Sequence, residues 1–141
     1  MATRSTIGVL NADQSVTAIY CHYDGYIHHN GHILKDYYTD PEKIQALMEL
    51  GALSQLGPEI GEQQDFNAHT NRDWCLAYGR DRGESDAEAQ HHASVADWLD
   101  HGEQYNYLWD RSEWLISVYS LDRDQELRSL VQVILEMGAD S

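Results

Sequence analysis

Positive charge is what this chain most lacks. Nine Lys and Arg stand against 24 Asp and Glu in 141 residues, a formal net charge of −15 at pH 7. The deficit deepens along the chain, from −3 over residues 1–50 to −5 over 51–95 and −7 over 96–141. Phosphate backbones are bound by clustered Lys and Arg, so direct binding of nucleic acid is excluded as the expected role. Anionic membrane surfaces are repelled for the same reason. Apolar runs are short as well: none approaches the roughly 18–20 residues needed to span a bilayer. The opening Met1-Ala2-Thr3-Arg4-Ser5-Thr6 has no apolar core of a secretory signal. Cysteine is scarce. Cys21 and Cys75 cannot make a disulfide framework and are expected to be reduced and buried in strands of a cytosolic protein.

What is present argues for a folded globule. Hydrophobic residues make up 42% of the chain and four are tryptophan, too apolar for a disordered acidic tail. The length suits one domain, residues 1–141, with a real core. Such a negative field favours solubility and rapid encounter with basic surfaces.

The hydrophobic pattern predicts two strands, Ile7–Leu10 and Val16–Tyr20, around a turn at Asn11–Ser15. Neither face of the second strand is plainly polar, which predicts a central strand ended by Asp24-Gly25. Asn30 is placed to cap a short helix over 31–38, and Asp40-Pro41 to start an amphipathic one. Trp74–Tyr78 reads as a strand, Arg80–Asp86 as a charged loop, and Ser94 as the cap of a helix over 95–101. Tyr105–Trp109 and Glu113–Tyr119 read as a hairpin, and Asp122–Met137 as a final amphipathic helix. The order predicts an α+β fold: a single domain with an antiparallel sheet of about five strands and helices packed on it.

Residues 19–34 carry the densest chemistry. His28 and His32, at i and i+4, with Cys21, His22 and Asp24 nearby, are candidate metal ligands. The expected helix start at Asn30 separates the two histidines, and His69, His91, His92 and His101 are scattered without a ligand-pair spacing. The spacing therefore favours solvated or hydrogen-bonded histidines, and no metal or cofactor is expected. A His-Asn-His nuclease from His28, His29, Asn30 and His32 is disfavoured by their adjacency and by the missing basic groove. Cys21 or Cys75 as a nucleophile lacks a base and a positive environment. Arg80 and Arg82 read as a salt-bridged loop or a partner anchor.

The acids form rows that could imitate the spaced charges of a nucleic acid. Asp81, Glu84, Asp86, Glu88, Asp97, Asp100, Glu103, Asp110, Asp122, Asp124 and Glu126 are the candidate partner surface. Tyr105, Tyr107 and Trp109 are candidate exposed aromatic anchors.

Ile19–Tyr26, Gly31–Leu34 and Tyr38-Thr39-Asp40-Pro41-Glu42-Lys43 carry a resemblance. With Leu56-Gly57, Glu59-Ile60-Gly61 and Tyr78–Glu84, they resemble small acidic proteins of bacteriophages and prophages. Those share an Ile-Tyr-Cys-His-Trp-Asp-Gly-Tyr-like strand motif. Tyr23 here stands where that motif has tryptophan, and Ile27 where proline is expected. The resemblance spans roughly residues 17–85, carries no activity onto particular residues, and implies a mobile-element origin and action in the host cytoplasm. Charge and resemblance together lead to one expectation: a stoichiometric inhibitor of a host defence complex, of anti-CRISPR or anti-restriction type. Its partner would be a basic, nucleic-acid-binding host protein complex, and the pattern leaves room for a homodimer. The alternatives are a small metal-dependent hydrolase using Cys21, His22, His28 and His32, and a non-inhibitory phage accessory or scaffold protein.

Overall fold

The computed structural model describes residues 2–118 and 126–138. The chain opens with the expected hairpin, β1 (Ser5–Leu10) and β2 (Val16–Cys21), in antiparallel register from Ser5↔Cys21 to Leu10↔Val16. Its turn is locked by the Asp13 carboxylate, which accepts from the Ser15 amide at 3.0 Å and from the Ser15 hydroxyl. After β2, Asp24 takes the left-handed conformation (φ 57°), a role expected of Gly25. The chain then winds through a π-helical turn, Ile27–Gly31, into α1 (His32–Tyr37).

Asn30 is not the helix cap. It is fully buried within the π-helical turn, and its Nδ2 donates to Ser5 Oγ at 3.1 Å, tying the turn to β1. Asp40 does cap α2 (Pro41–Leu50), accepting from the Glu42 amide, with proline at the first helical position. Then follow β3 (Leu53–Gln55), β4 (Leu76–Ala77), α3 (Tyr78–Arg82), β5 (Gln90–His92) and α4 (Val95–Asp100). The hairpin of β6 (Tyr105–Trp109) and β7 (Trp114–Val118) forms as predicted, and β8 (Arg128–Ser129) leads into α5 (Leu130–Gly138).

The domain is α+β, but its sheet is not the five-stranded antiparallel one expected. Among the described residues, eight strands form a mixed sheet in the order β4-β3-β2-β1-β6-β7-β8, with β5 paired to β2 alongside β3. β1 runs parallel to β6, and β2 parallel to β3. The physical reason is the crossovers. Helices α1 and α2 carry the chain from the end of β2 back over the sheet, a connection that makes the next strand parallel. The strands that went unpredicted, β3, β5 and β8, have three, three and two residues, too few to show alternation. The expected loop at Arg80 begins as α3, and the last helix starts at Leu130; residues 119–125 lie outside the described residues.

The sheet has a core on each face. On one, Ile7, Ile19, Cys21, Tyr107, Trp109, Trp114 and Ile116 meet Leu34, Tyr38, Ile44, Leu47 and Leu130 from the helices. On the other, Val16, Ala18 and Leu108 meet Trp98 and Leu99 of α4. β2 therefore contributes to both, as its two apolar faces predict.

Two residues expected as exposed anchors are core residues instead. Tyr107 is fully buried and Trp109 is 6% exposed. The reason lies in the parallel pairing with β1, which makes β6 an interior strand. Tyr107 donates from Oη to the Gly25 carbonyl at 2.7 Å, joining the sheet centre to the turn after β2. Tyr107→Phe leaves that carbonyl unpaired and should cost about 1–3 kcal/mol of stability, read as a lower midpoint in urea unfolding.

Candidate metal centre

The histidine-rich stretch does not assemble a site. Cys21 is buried, and burial pushes its thiol up to about 11, so it is neither thiolate ligand nor nucleophile near neutral pH. His22 Nδ1 lies 2.6 Å from the Tyr20 hydroxyl, and His29 Nδ1 2.9 Å from Asn30 Oδ1. His28 and His32 do share a helical face, their rings stacked 5.9 Å apart, but no third donor joins them among the described residues. Cys75 is likewise buried, bonded to the Tyr38 hydroxyl at 3.3 Å, and burial raises its pKa.

The convergence lies elsewhere. One donor atom from each of His92, Asp97 and His101 lies within 4.8 Å of the other two, the one such group among the described residues. Each side chain is placed by simple local rules. β5 pairs antiparallel with β2, Val16 opposite His92 and Ala18 opposite Gln90. Alternation then sends His92 and Gln90 to one face and His91 to the other, where it is exposed. Ser94 caps α4 as predicted, accepting from the Asp97 amide at 3.0 Å. Asp97 answers through Oδ2, which accepts from the Ala93 amide at 3.3 Å. His101 follows one turn after Asp97 and so stands on the same side of α4.

The distances suit a small cation. His92 Nδ1 is 3.6 Å from Asp97 Oδ2, and His101 Nδ1 is 3.8 Å from Asp97 Oδ1. Two donors each about 2.1 Å from one ion can be at most about 4.2 Å apart, so both pairs can be bridged. The histidine rings lie 5.6 Å apart. His101 Nδ1 also sits 2.9 Å from the Asp97 carbonyl oxygen. Ligation through Nδ1 would exchange that contact for the ion and leave the ring proton on Nε2. Exposure rises across the trio, from 16% for the His92 side chain to 43% for Asp97 and 66% for His101. One side of the site is thus fixed by the sheet and the other open to solvent.

The remaining acids of the expected partner surface have unlike fates. The Asp81 side chain is fully buried: Oδ2 accepts from the Ala77 amide at 2.8 Å, Oδ1 from the Gln64 amide at 3.0 Å, and Arg80 pairs with it. Asp110 closes the β6–β7 turn, its Oδ1 accepting from the Ser112 and Glu113 amides at 2.8 Å. Glu84, Asp86, Glu88, Asp100 and Glu126 are exposed, while Glu103 and Tyr105 are half-buried. Asp122 and Asp124 lie outside the described residues. Arg80 is a structural residue, donating to the Ile60 and Cys75 carbonyls at 2.8 Å.

Sequence reasoning passed over His92 and His101 because they are not spaced as a motif. The one signal available was His101 four residues after Asp97 on a helix capped by Ser94.

No family model matches the chain, and no curated protein or solved structure matches it. The resemblance to phage proteins therefore rests on the quoted motifs alone. No helix among the described residues is long and apolar enough to cross a membrane.

The burial of both thiols has a direct readout. Cys21 and Cys75 should stay unmodified by a thiol reagent in the native protein and react together on unfolding. Asp81→Ala, which orphans two amides and removes the carboxylate paired with Arg80, should cost about 3 kcal/mol and bring that reaction to lower denaturant.

Proposed function

We propose that this protein binds a divalent transition-metal ion, zinc above others, through His92, Asp97 and His101. The observation that carries the reading is the convergence of two imidazoles and a carboxylate at bridging distance, with each side chain already oriented by strand pairing or helix capping. Two nitrogens and one oxygen suit zinc and its neighbours, whereas calcium and magnesium favour oxygen alone. Three protein donors with an exposed side match an open site more than a closed structural one. The metal-dependent alternative raised by the sequence thus moves from Cys21, His22, His28 and His32 to this trio.

Equilibrium dialysis with metal analysis should find one zinc per chain. His92→Ala and His101→Ala should each weaken binding by about tenfold or more, since each removes a third of the donor set. No bound zinc, or full binding by both variants, would rule the site out.

A second reading is favoured by the net charge of −15. In it the exposed acids, Glu84, Asp86 and Glu88 foremost, face a basic nucleic-acid-binding protein in a host cytoplasm, and the protein acts as a stoichiometric inhibitor. Glu84 and Glu88 share the wall of a pocket of about 410 Å³ with Glu49, three acids against the single cation Arg80, which leaves net negative potential there. Capture of such a partner from host lysate should fall by about tenfold or more between low and high salt. Salt-independent capture, or capture unaffected by replacing the three acids with their amides, would count against it.

A further inference from the structure

His92 and His101 also form part of the wall of a pocket of about 260 Å³, together with Thr6, Tyr20, Gln90 and Glu103. No Lys or Arg lines it among the described residues. Glu103 is held there by a buried polar network. Asn106, 1% exposed, accepts the Glu103 amide on Oδ1 at 2.8 Å and donates from Nδ2 to the Glu103 carbonyl at 2.9 Å. Thr6 donates from Oγ1 to the same Oδ1 at 3.0 Å, and Asn106 Nδ2 also reaches the Ser117 carbonyl at 3.2 Å. The main chain at Glu103 is therefore pinned to three strands of the sheet.

An ion held by three protein donors keeps at least one coordination position for water or a ligand. Two of the three ligating residues, His92 and His101, line the pocket, so such a position lies beside it. We propose that the pocket binds a small cation carrying a neutral nitrogen donor, an imidazole-type amine. The donor nitrogen sits on the ion and the positive end pairs with the Glu103 carboxylate. The inference rests on the metal reading above. Three features select this class. The volume lies near the lower limit of about 300 Å³ usual for ligand sites, enough for one ring and a short arm. The wall offers acceptors and a carboxylate but no cation, so carboxylates and phosphates are disfavoured. The field of the whole protein draws cations toward it.

Cobalt-loaded protein gives the test through its visible absorption. Histamine and imidazole-4-acetate present the same donor ring with arms of opposite charge. Titrated at neutral pH in about 0.5 M salt, which screens the general field, histamine should perturb the spectrum at about tenfold lower concentration. Glu103→Gln should bring the two ligands within about twofold of each other while cobalt absorption stays unchanged. Equal affinities in the wild-type protein, an unchanged preference in the variant, or a cobalt spectrum indifferent to both ligands each overturns the inference and leaves the metal site standing. Failure to take up cobalt at all overturns the metal reading and this one with it.

Discussion

The structure depends on how β2 is shared. Its side chains divide between two cores, Ile19 and Cys21 toward the large helical layer, Val16 and Ala18 toward α4. Its outer edge is divided too. At its end Cys21 pairs with Leu53 of β3, while Val16 to Ala18 pair with β5. A strand six residues long thus meets β1 on one side, two strands on the other, and apolar layers above and below. That crowding leaves no slack in register, because a slip of one residue would exchange the two cores. It also explains how a three-residue strand such as β5 can hold a defined position: its hydrogen bonds go to the most constrained strand in the molecule.

The convergence of His92, Asp97 and His101 follows from that anchorage. His92 inherits the rigidity of β2 through β5, while Asp97 lies in α4, a helix seated on the sheet by Trp98 and Leu99, and His101 at its C-cap. The donors therefore come from two elements whose separation is set by packing. Acidic residues elsewhere show why charge alone is a poor guide to a surface. Asp81 and Asp110 consume backbone amides, and Asp97 both accepts from the Ala93 amide and faces two imidazoles. Only part of the negative charge is free to act on a partner.

Legibility in the sequence followed length and locality. The β1–β2 and β6–β7 hairpins, the Asp40-Pro41 and Ser94 caps and the apolar stripe of α2 were readable because each signal lies within a few residues. The strands β3, β5 and β8 were not, since their pairing is dictated by distant partners. The candidate site fared likewise. Its three donor side chains sit within ten residues, yet their meeting needs the fold of a strand into a helix, and no spacing rule covers that. The dense cluster at residues 19–34 gave only the alternative metal reading. Adjacent polar letters drew attention, but Asn30 and Cys21 point inward and serve the joint between β2 and α1.

The parallel pairing of β1 with β6 joins Thr6 to Asn106, a hundred positions apart. Its consequence is temporal. When the first hairpin leaves the ribosome, the strand that will flank β1 has not yet been made. The hairpin's inner edge stays open until most of the chain has been synthesised. Long-range closure of this kind slows folding relative to proteins built from local contacts. Through that interval a high density of like charge is protective, since nascent copies with bare strand edges repel one another. The acidity of the finished molecule also guards the unfinished one against its own kind.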